Sequence, residues 1–391
     1  MYLRPILNIA WAAHKGCGPD TGDKAGAFMR EFLDPGSFEM TGEAPDIILF
    51  MSGGSERMAI SLAQPGHPVL LLTIRGNNAY AAATEVMAWM NANHRIALLS
   101  DAQDAFESGL LYRWQQTVST WKKLKGQKAA LIGSVSEWLV ASEVPAEQLQ
   151  KVMGVELLEI PWSKLPGFGE MEPDETLTSR FHGLHAPGLE DAAKVLTLLR
   201  TVVEKQGLSA MAVECFSLVQ QHRVTACLAL AMLNTEGIVA ACEGDLASMA
   251  GMMLLKAACG MVPWMANTTR LTGNTLTLSH CTAAFNLVEN IRLATHYETG
   301  ASLAVKGMVT AREVTLFRFS DTLEKAMIIT GKVTGYPDLP DACRTQVELE
   351  ISTGAADTLK NRPLGNHLLM IPGNWVELLN MVCRYKGITL N

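Results

Sequence analysis

Short, unbroken apolar runs, each closed by a small-residue turn and followed by a helical stretch, constrain this chain more than any other feature. Residues 46–51 (DIILFM) end in Ser52-Gly53-Gly54-Ser55, and a helix is predicted over 56–62. Residues 68–74 (PVLLLTI) lead through Asn77 and Asn78 to a helix predicted over 79–92. Residues 95–100 (RIALLS) form a third run, and 6–12 is strand-like. Strands apolar on both faces, separated by helices, belong to a parallel sheet covered on both sides. The pattern restarts at Ala129-Ala130-Leu131-Ile132, turns at Gly133-Ser134-Val135-Ser136, and continues with a strand at 155–160 and a helix over 190–205. The segment 166–187, rich in Gly, Pro and acidic residues, reads as a long loop or a weak helix.

The last part changes character. Ala/Met-rich helices are expected over 224–233 and 246–258, and strands at 303–305, 314–319, 326–333, 345–351 and 367–371. Several of these alternate apolar and polar residues, with Gly and Pro turns between them, as an antiparallel barrel requires. The expected fold is therefore α/β: two Rossmann-like parallel α/β units, then an α+β domain with an antiparallel, barrel-like subdomain. The domains are placed at 1–118, 119–205 and 206–391, with the β subdomain at about 300–391.

Composition narrows the function. Hydrophobic residues make up 48% of the 391 positions, which excludes a largely disordered chain. Thirty-two basic against 39 acidic residues leave no basic excess for nucleic acid or an anionic membrane. The most apolar stretch, 246–266, is interrupted by Ser248, Lys256 and Pro263, and reads as a buried helix, turn and strand. The eight cysteines include no C-x-x-C pair and mostly sit in apolar runs, as reduced core thiols of a cytoplasmic protein do. The N-terminal stretch has no clear signal-peptide pattern.

Polar residues that could carry chemistry gather at element ends. Cys242-Glu243-Gly244-Asp245 places two carboxylates between an apolar run and a helix. Such a pair can ligate a divalent cation or move protons, although Asp245 could equally cap the helix. Trp264-Met265-Ala266-Asn267 closes one apolar strand, and His280 ends another. His296-Tyr297-Glu298-Thr299-Gly300, Gly365-Asn366-His367 and Gly373-Asn374-Trp375 add further polar tips. The Gly/Ser turns, that of Ser134 included, could contact sugar hydroxyls or an anion. Lys306, Arg318 and Arg270 are possible contacts for a substrate anion. No G-x-S-x-G, H-E-x-x-H, P-loop or dinucleotide fingerprint is present.

The constellation resembles the C-terminal half of the L-fucose isomerase family, which is structurally related to L-arabinose isomerases. Glu243, in a segment followed by a Met-rich helix, matches the family's metal-ligating Glu, and His367 matches its late His. The family Asp falls on Asn267. The resemblance implies one Mn²⁺ (or Mg²⁺) per site, held by Glu243, Asn267 and His367. It implies ene-diol interconversion of an aldose and a ketose, with Glu243 as one acid/base group and Asp245 or Glu298 as the other. Trp264, His280, His296, Asn374, Trp375 and Ser134 would line the sugar pocket. A homo-oligomer, trimer or hexamer, with the active site near a subunit interface is implied as well. An amide at position 267 supplies no charge and no base, so a non-catalytic sugar-binding or regulatory protein remains an alternative, as does a related lyase or epimerase. The chain is shorter than the fucose enzymes, so its sugar is left open and need not be fucose, a modified or acidic sugar being one alternative.

Overall fold

A computed structural model describes residues 6–184 and 186–391. The first five residues and His185, one position of the 166–187 loop, lie outside the described residues. The chain divides into two compact units. The first runs to Lys123 and takes in Asn380–Gly387. The second comprises Leu124–Leu379 and Ile388–Asn391.

The first unit is a five-stranded parallel sheet of β1 (Leu7–Ala12), β2 (Phe38–Met40), β3 (Ile47–Phe50), β4 (Val69–Thr73) and β5 (Ala97–Asp101), in the order β2-β1-β3-β4-β5. All residues of β3 and β4 are buried, which explains their uninterrupted apolar sequence. Helix Ala79–Ala92 lays Ala79, Ala82, Ala83, Val86 and Met90 against the sheet, an i, i+3/i+4 stripe on one face. Trp121 donates from Nε1 to the Val382 carbonyl at 3.0 Å and so ties the returning segment to this unit. The Ser52–Ser55 and Gly76–Asn78 turns sit at the carboxyl ends of β3 and β4, where they line a cavity of about 930 Å³ with His14 and Lys24.

The second unit opens with a parallel sheet of β6 (Lys128–Ile132), β7 (Glu156–Ile160), β8 (Ala210–Val213) and β9 (Val239–Cys242), in the order β7-β6-β8-β9. This sheet continues past residue 205, because β8 and β9 complete it. The boundary drawn there from the change in composition therefore cuts a hydrogen-bonded layer. The barrel follows. Its strands are β10 (Trp264–Thr272), β11 (Thr275–His280), β14 (Glu313–Phe319), β15 (Lys325–Gly335), β16 (Thr345–Ile351) and β17 (His367–Pro372), the hairpin β12 (Val288–Ala294) and β13 (Ala304–Val309) standing apart. The order β14-β17-β10-β11-β16-β15 is antiparallel throughout, and β14 pairs with β15 to close it. The short β18 (Thr389–Leu390) adds parallel to β15. The β region thus begins at Trp264, earlier than about 300, because β10 finds its second partner, β17, a hundred residues downstream.

Helix Leu246–Cys259 is buried nearly all round. Gly251 makes this possible, since a Cβ there would lie 2.5 Å from Leu369 Cδ1. The helix therefore presses on β17 and β14, and its N-terminus meets the barrel where His367 and Arg318 stand. Among the described residues, no helix is long and apolar enough to cross a membrane.

Candidate functional site

The site grows from the turn after β9. Backbone direction reverses here between strand and helix, and Glu243 and Gly244 both take positive φ, +60° and +68°. Only glycine suits position 244, because a Cβ would fall 2.2 Å from the Ser134 carbonyl oxygen. The turn is pinned by bonds from Gly244 N to Val213 O (3.0 Å) and from Ser136 N to Glu243 O (3.1 Å). Glu243 is therefore fixed in a conformation uncommon for a residue with a side chain.

Three strands bring the other groups. His280 ends β11 and His367 begins β17, with β10 hydrogen-bonded between them. Their rings lie 5.5 Å apart. His280 Nε2 is 3.6 Å and His367 Nε2 is 3.5 Å from Glu243 Oε1, too long for good hydrogen bonds. Neither buried nitrogen has a hydrogen-bond partner. All three donor atoms lie within 4.8 Å of one another. Donors on one ion, at bonds near 2.1 Å, stand about 3–3.5 Å apart, so the group fits a divalent metal. Two buried imidazole nitrogens facing a carboxylate oxygen without a bond between them are otherwise costly.

Each imidazole is oriented by its other nitrogen. His280 Nδ1 pairs with Thr282 Oγ1 at 3.0 Å, and His367 Nδ1 with Asp245 Oδ2 at 2.8 Å. Asp245 and Arg318 are both fully buried. Asp245 accepts from Ser248 N (2.7 Å), Ser248 Oγ (2.8 Å) and Arg318 Nη1 (2.9 Å) in addition to His367. Burial alone would raise its pKa, but Arg318 and His367 hold it well below the carboxylate range. An ionised Asp245 makes His367 Nδ1 the donor, so that in the neutral ring the lone pair is on Nε2, toward Glu243. Burial works against the His367 cation, but Asp245 and Glu243 outweigh it and raise the pKa to about 9. Glu243 is shifted the other way: burial raises it, and the two histidines bring it far below its usual value.

No protein-family model matches the chain. Over 366 residues it is 25% identical to the sulfoquinovose isomerase of Priestia aryabhattai, covering 85% of this chain and 80% of that one. The sulfoquinovose isomerase of Priestia megaterium (strain ATCC 12872 / QMB1551) matches with the same identity and coverage. The chain is similar to sugar isomerases.

Several sequence expectations change here. Asn267, expected beside Glu243 and His367, has its Oδ1 accepting from Asn366 Nδ2 at 2.6 Å and its Nδ2 facing Cys343 Sγ at 3.9 Å. His280, expected in the sugar pocket, stands with Glu243 and His367 instead, because the β10–β11 pairing carries its strand end to the same rim. Asp245 is fully buried, caps the helix through Ser248 N and accepts from Ser248 Oγ, Arg318 and His367 on Oδ2. Asn374 and Trp375 lie beyond the opposite end of β17 from His367, about 20 Å along extended strand, and serve a local turn. Trp264 is buried, with its indole N–H unpaired. Arg318 is committed to Asp245, and Lys306 to Asp338 at 2.8 Å, while Arg270 is exposed.

Other expected residues do surround the group. Ser134 belongs to the turn that packs on Gly244. His296 is buried, bonded to Thr299 Oγ1 at 3.1 Å, and meets Phe216 edge-on. Glu298, two residues on, is exposed at its outer side. Partial burial raises its pKa and the charge of Glu243 adds to this, against His296. A functional contact absent from the sequence reading is Trp138, whose Nε1 donates to Glu243 Oε2 at 2.7 Å. Its sequence signal was an aromatic residue just past a strand-end turn, which alone does not distinguish a site from a surface loop. All eight cysteines are free; Cys227, Cys281 and Cys343 pack together beside the His280 strand end, and Cys215 lies 3.3 Å from Cys242.

Proposed function

We propose that this protein is a divalent-metal-dependent aldose–ketose isomerase acting on an acidic or otherwise modified sugar. One observation carries the reading: two buried imidazole nitrogens, His280 Nε2 and His367 Nε2, converge without partners on Glu243 Oε1. Glu243, His280 and His367 hold Mn²⁺ or Mg²⁺, which when bound polarises the sugar carbonyl and stabilises the ene-diolate. Asp245 fixes the His367 tautomer that leaves Nε2 free to ligate, and Thr282 orients the His280 ring through Nδ1. Glu298 takes the proton from one substrate carbon and returns it to the neighbouring one. Its raised pKa suits a group that must both accept and release a proton near neutrality. Glu243, kept ionised, stays a ligand. The similarity to two sulfoquinovose isomerases supports both the reaction class and a charged sugar.

The test is to incubate Mn²⁺-loaded protein in D₂O with sulfoquinovose, aldonic and uronic acids, and neutral aldoses, and follow the products by NMR. The expected result is aldose–ketose conversion with deuterium entering at the carbon next to the carbonyl. No turnover on any sugar, together with no Mn²⁺ binding that depends on Glu243, would overturn the reading. The amide at Asn267, in place of an acidic group, favours a second reading, a sugar-binding protein without catalysis. Ligand-dependent thermal stabilisation without deuterium incorporation selects that one.

A further inference from the structure

Trp138 is the anomaly near the site. Its side chain is 53% exposed and its neighbour Val140 is 90% exposed, so packing does not account for its place. Two directional contacts do. The first is the 2.7 Å bond from Nε1 to Glu243 Oε2, the oxygen that faces away from the histidines. The same turn also grips the Glu243 backbone, through Ser136 N on its carbonyl. Glu243 is thus clamped at both ends by residues 136–138, with one carboxylate oxygen occupied and the other presented to the two imidazoles. The second contact is aromatic. Trp138 meets Phe216 edge-on at 4.8 Å and 81°, and Phe216 meets His296 edge-on at 5.9 Å and 76°. His296 in turn bonds Thr299 Oγ1, accepts from Gly300 N at 2.9 Å through its carbonyl, and so closes the loop that carries Glu298.

We propose that Trp138 is a positioning residue with two effects: its N–H holds Glu243 as a one-oxygen metal ligand, and its ring, through Phe216 and His296, holds the loop that carries Glu298. The proposal rests on the metal-dependent reading above and adds a residue to it. A carboxylate left free to rotate can offer either oxygen, so loss of the N–H lowers the fraction of Glu243 poised to ligate. An aromatic ladder of three rings transmits position because each edge-to-face contact has a preferred geometry.

Two variants separate the effects. Trp138→Phe keeps a ring against Phe216 and removes the N–H; Trp138→Ala removes both. Isothermal titration with Mn²⁺ alone is expected to show about tenfold weaker binding for each, in the range for groups that orient a metal ligand. In a Glu243→Ala background the Trp138→Phe change is expected to add nothing further, because the clamped carboxylate is gone. Hydrogen–deuterium exchange of the 296–300 amides is expected to rise in Trp138→Ala and to stay at the wild-type level in Trp138→Phe. Wild-type Mn²⁺ affinity in Trp138→Phe would overturn the clamp. Unchanged exchange of the loop in Trp138→Ala would overturn the ladder. A wild-type protein that binds no Mn²⁺ would sink the proposed function and this inference together, whereas the first two outcomes leave the proposed function standing.

Discussion

Replacing Asp245 with Asn removes one charge and almost no volume, and its consequences can be worked from the contacts. Asn is as good an N-cap as Asp, so the bond from Ser248 N survives if the amide oxygen stays at the cap. The amide nitrogen then faces Arg318 Nη1 and His367 Nδ1, where the carboxylate oxygen had accepted from both. Arg318 is left as a fully buried cation with only neutral acceptors, Ser248, Ser142 and the Ala141 carbonyl. Breaking a buried pair in this way costs about 3–5 kcal/mol. The donor now facing His367 Nδ1 also forces the other tautomer, which places a proton on Nε2 toward Glu243. That proton blocks ligation, so Mn²⁺ affinity is expected to fall at least 10–100-fold, about the loss seen when a ligand's orienting partner is removed. Urea unfolding followed by tryptophan fluorescence reads the first effect, in whichever transition reports the second unit, and titration calorimetry reads the second. If Asp245→Asn stays within about 0.5 kcal/mol of wild type and binds Mn²⁺ within twofold, the account of Asp245 as the orienting group is wrong; surface substitutions behave in that way, buried charges do not.

Other expectations concern the ligand set and the proton carrier. His280→Gln is expected to abolish measurable Mn²⁺ binding, while Asn267→Ala, whose amide is turned to Asn366, changes it less than fivefold; equal losses would return Asn267 to the coordination sphere. Glu298→Gln is expected to lower turnover on a competent sugar about 10²–10⁴-fold with Mn²⁺ affinity unchanged, as measured by NMR kinetics and calorimetry. The pKa of His367 in the metal-free protein is raised to about 9 from an ordinary value near 6.5, so its cation contributes stability that is full below about pH 6.5 and is lost as pH rises through 9. Urea midpoints of metal-free protein should therefore fall over that window, and a His367→Gln variant should lack the decline.

The fold was largely legible because its signals are local. Runs such as Ile47–Phe50 and Val69–Thr73 are apolar at every position, and burial on both faces of a parallel sheet is what such runs satisfy. The barrel was legible as alternating strands, but its start was not, since β10 is defined by a partner a hundred residues away. The same distance problem governs the site. Glu243 could be picked out beside its strand end, and His280 and His367 as polar tips. Which of Asn267 and His280 joins Glu243 depends on side-chain direction at a sheet edge, and the β10–β11 register shift between Thr268 and Arg270 shows how little strand alternation alone fixes. Asp245 carried two readings, cap or acid/base; it caps the helix at Ser248, and only tertiary structure brings Arg318 from β14 and His367 from β17 onto its carboxylate.

The sequence by itself therefore determined the parallel layers and which strand ends carry clustered polar groups, because period and turn composition are properties of neighbouring residues. Tertiary structure alone decided which polar ends meet, which carboxylate is sealed into a charge network, and that an exposed tryptophan holds the remaining one. Those outcomes depend on distances between residues 37 to 124 positions apart, the spans that separate Glu243 from His280 and from His367, and no local pattern encodes such distances.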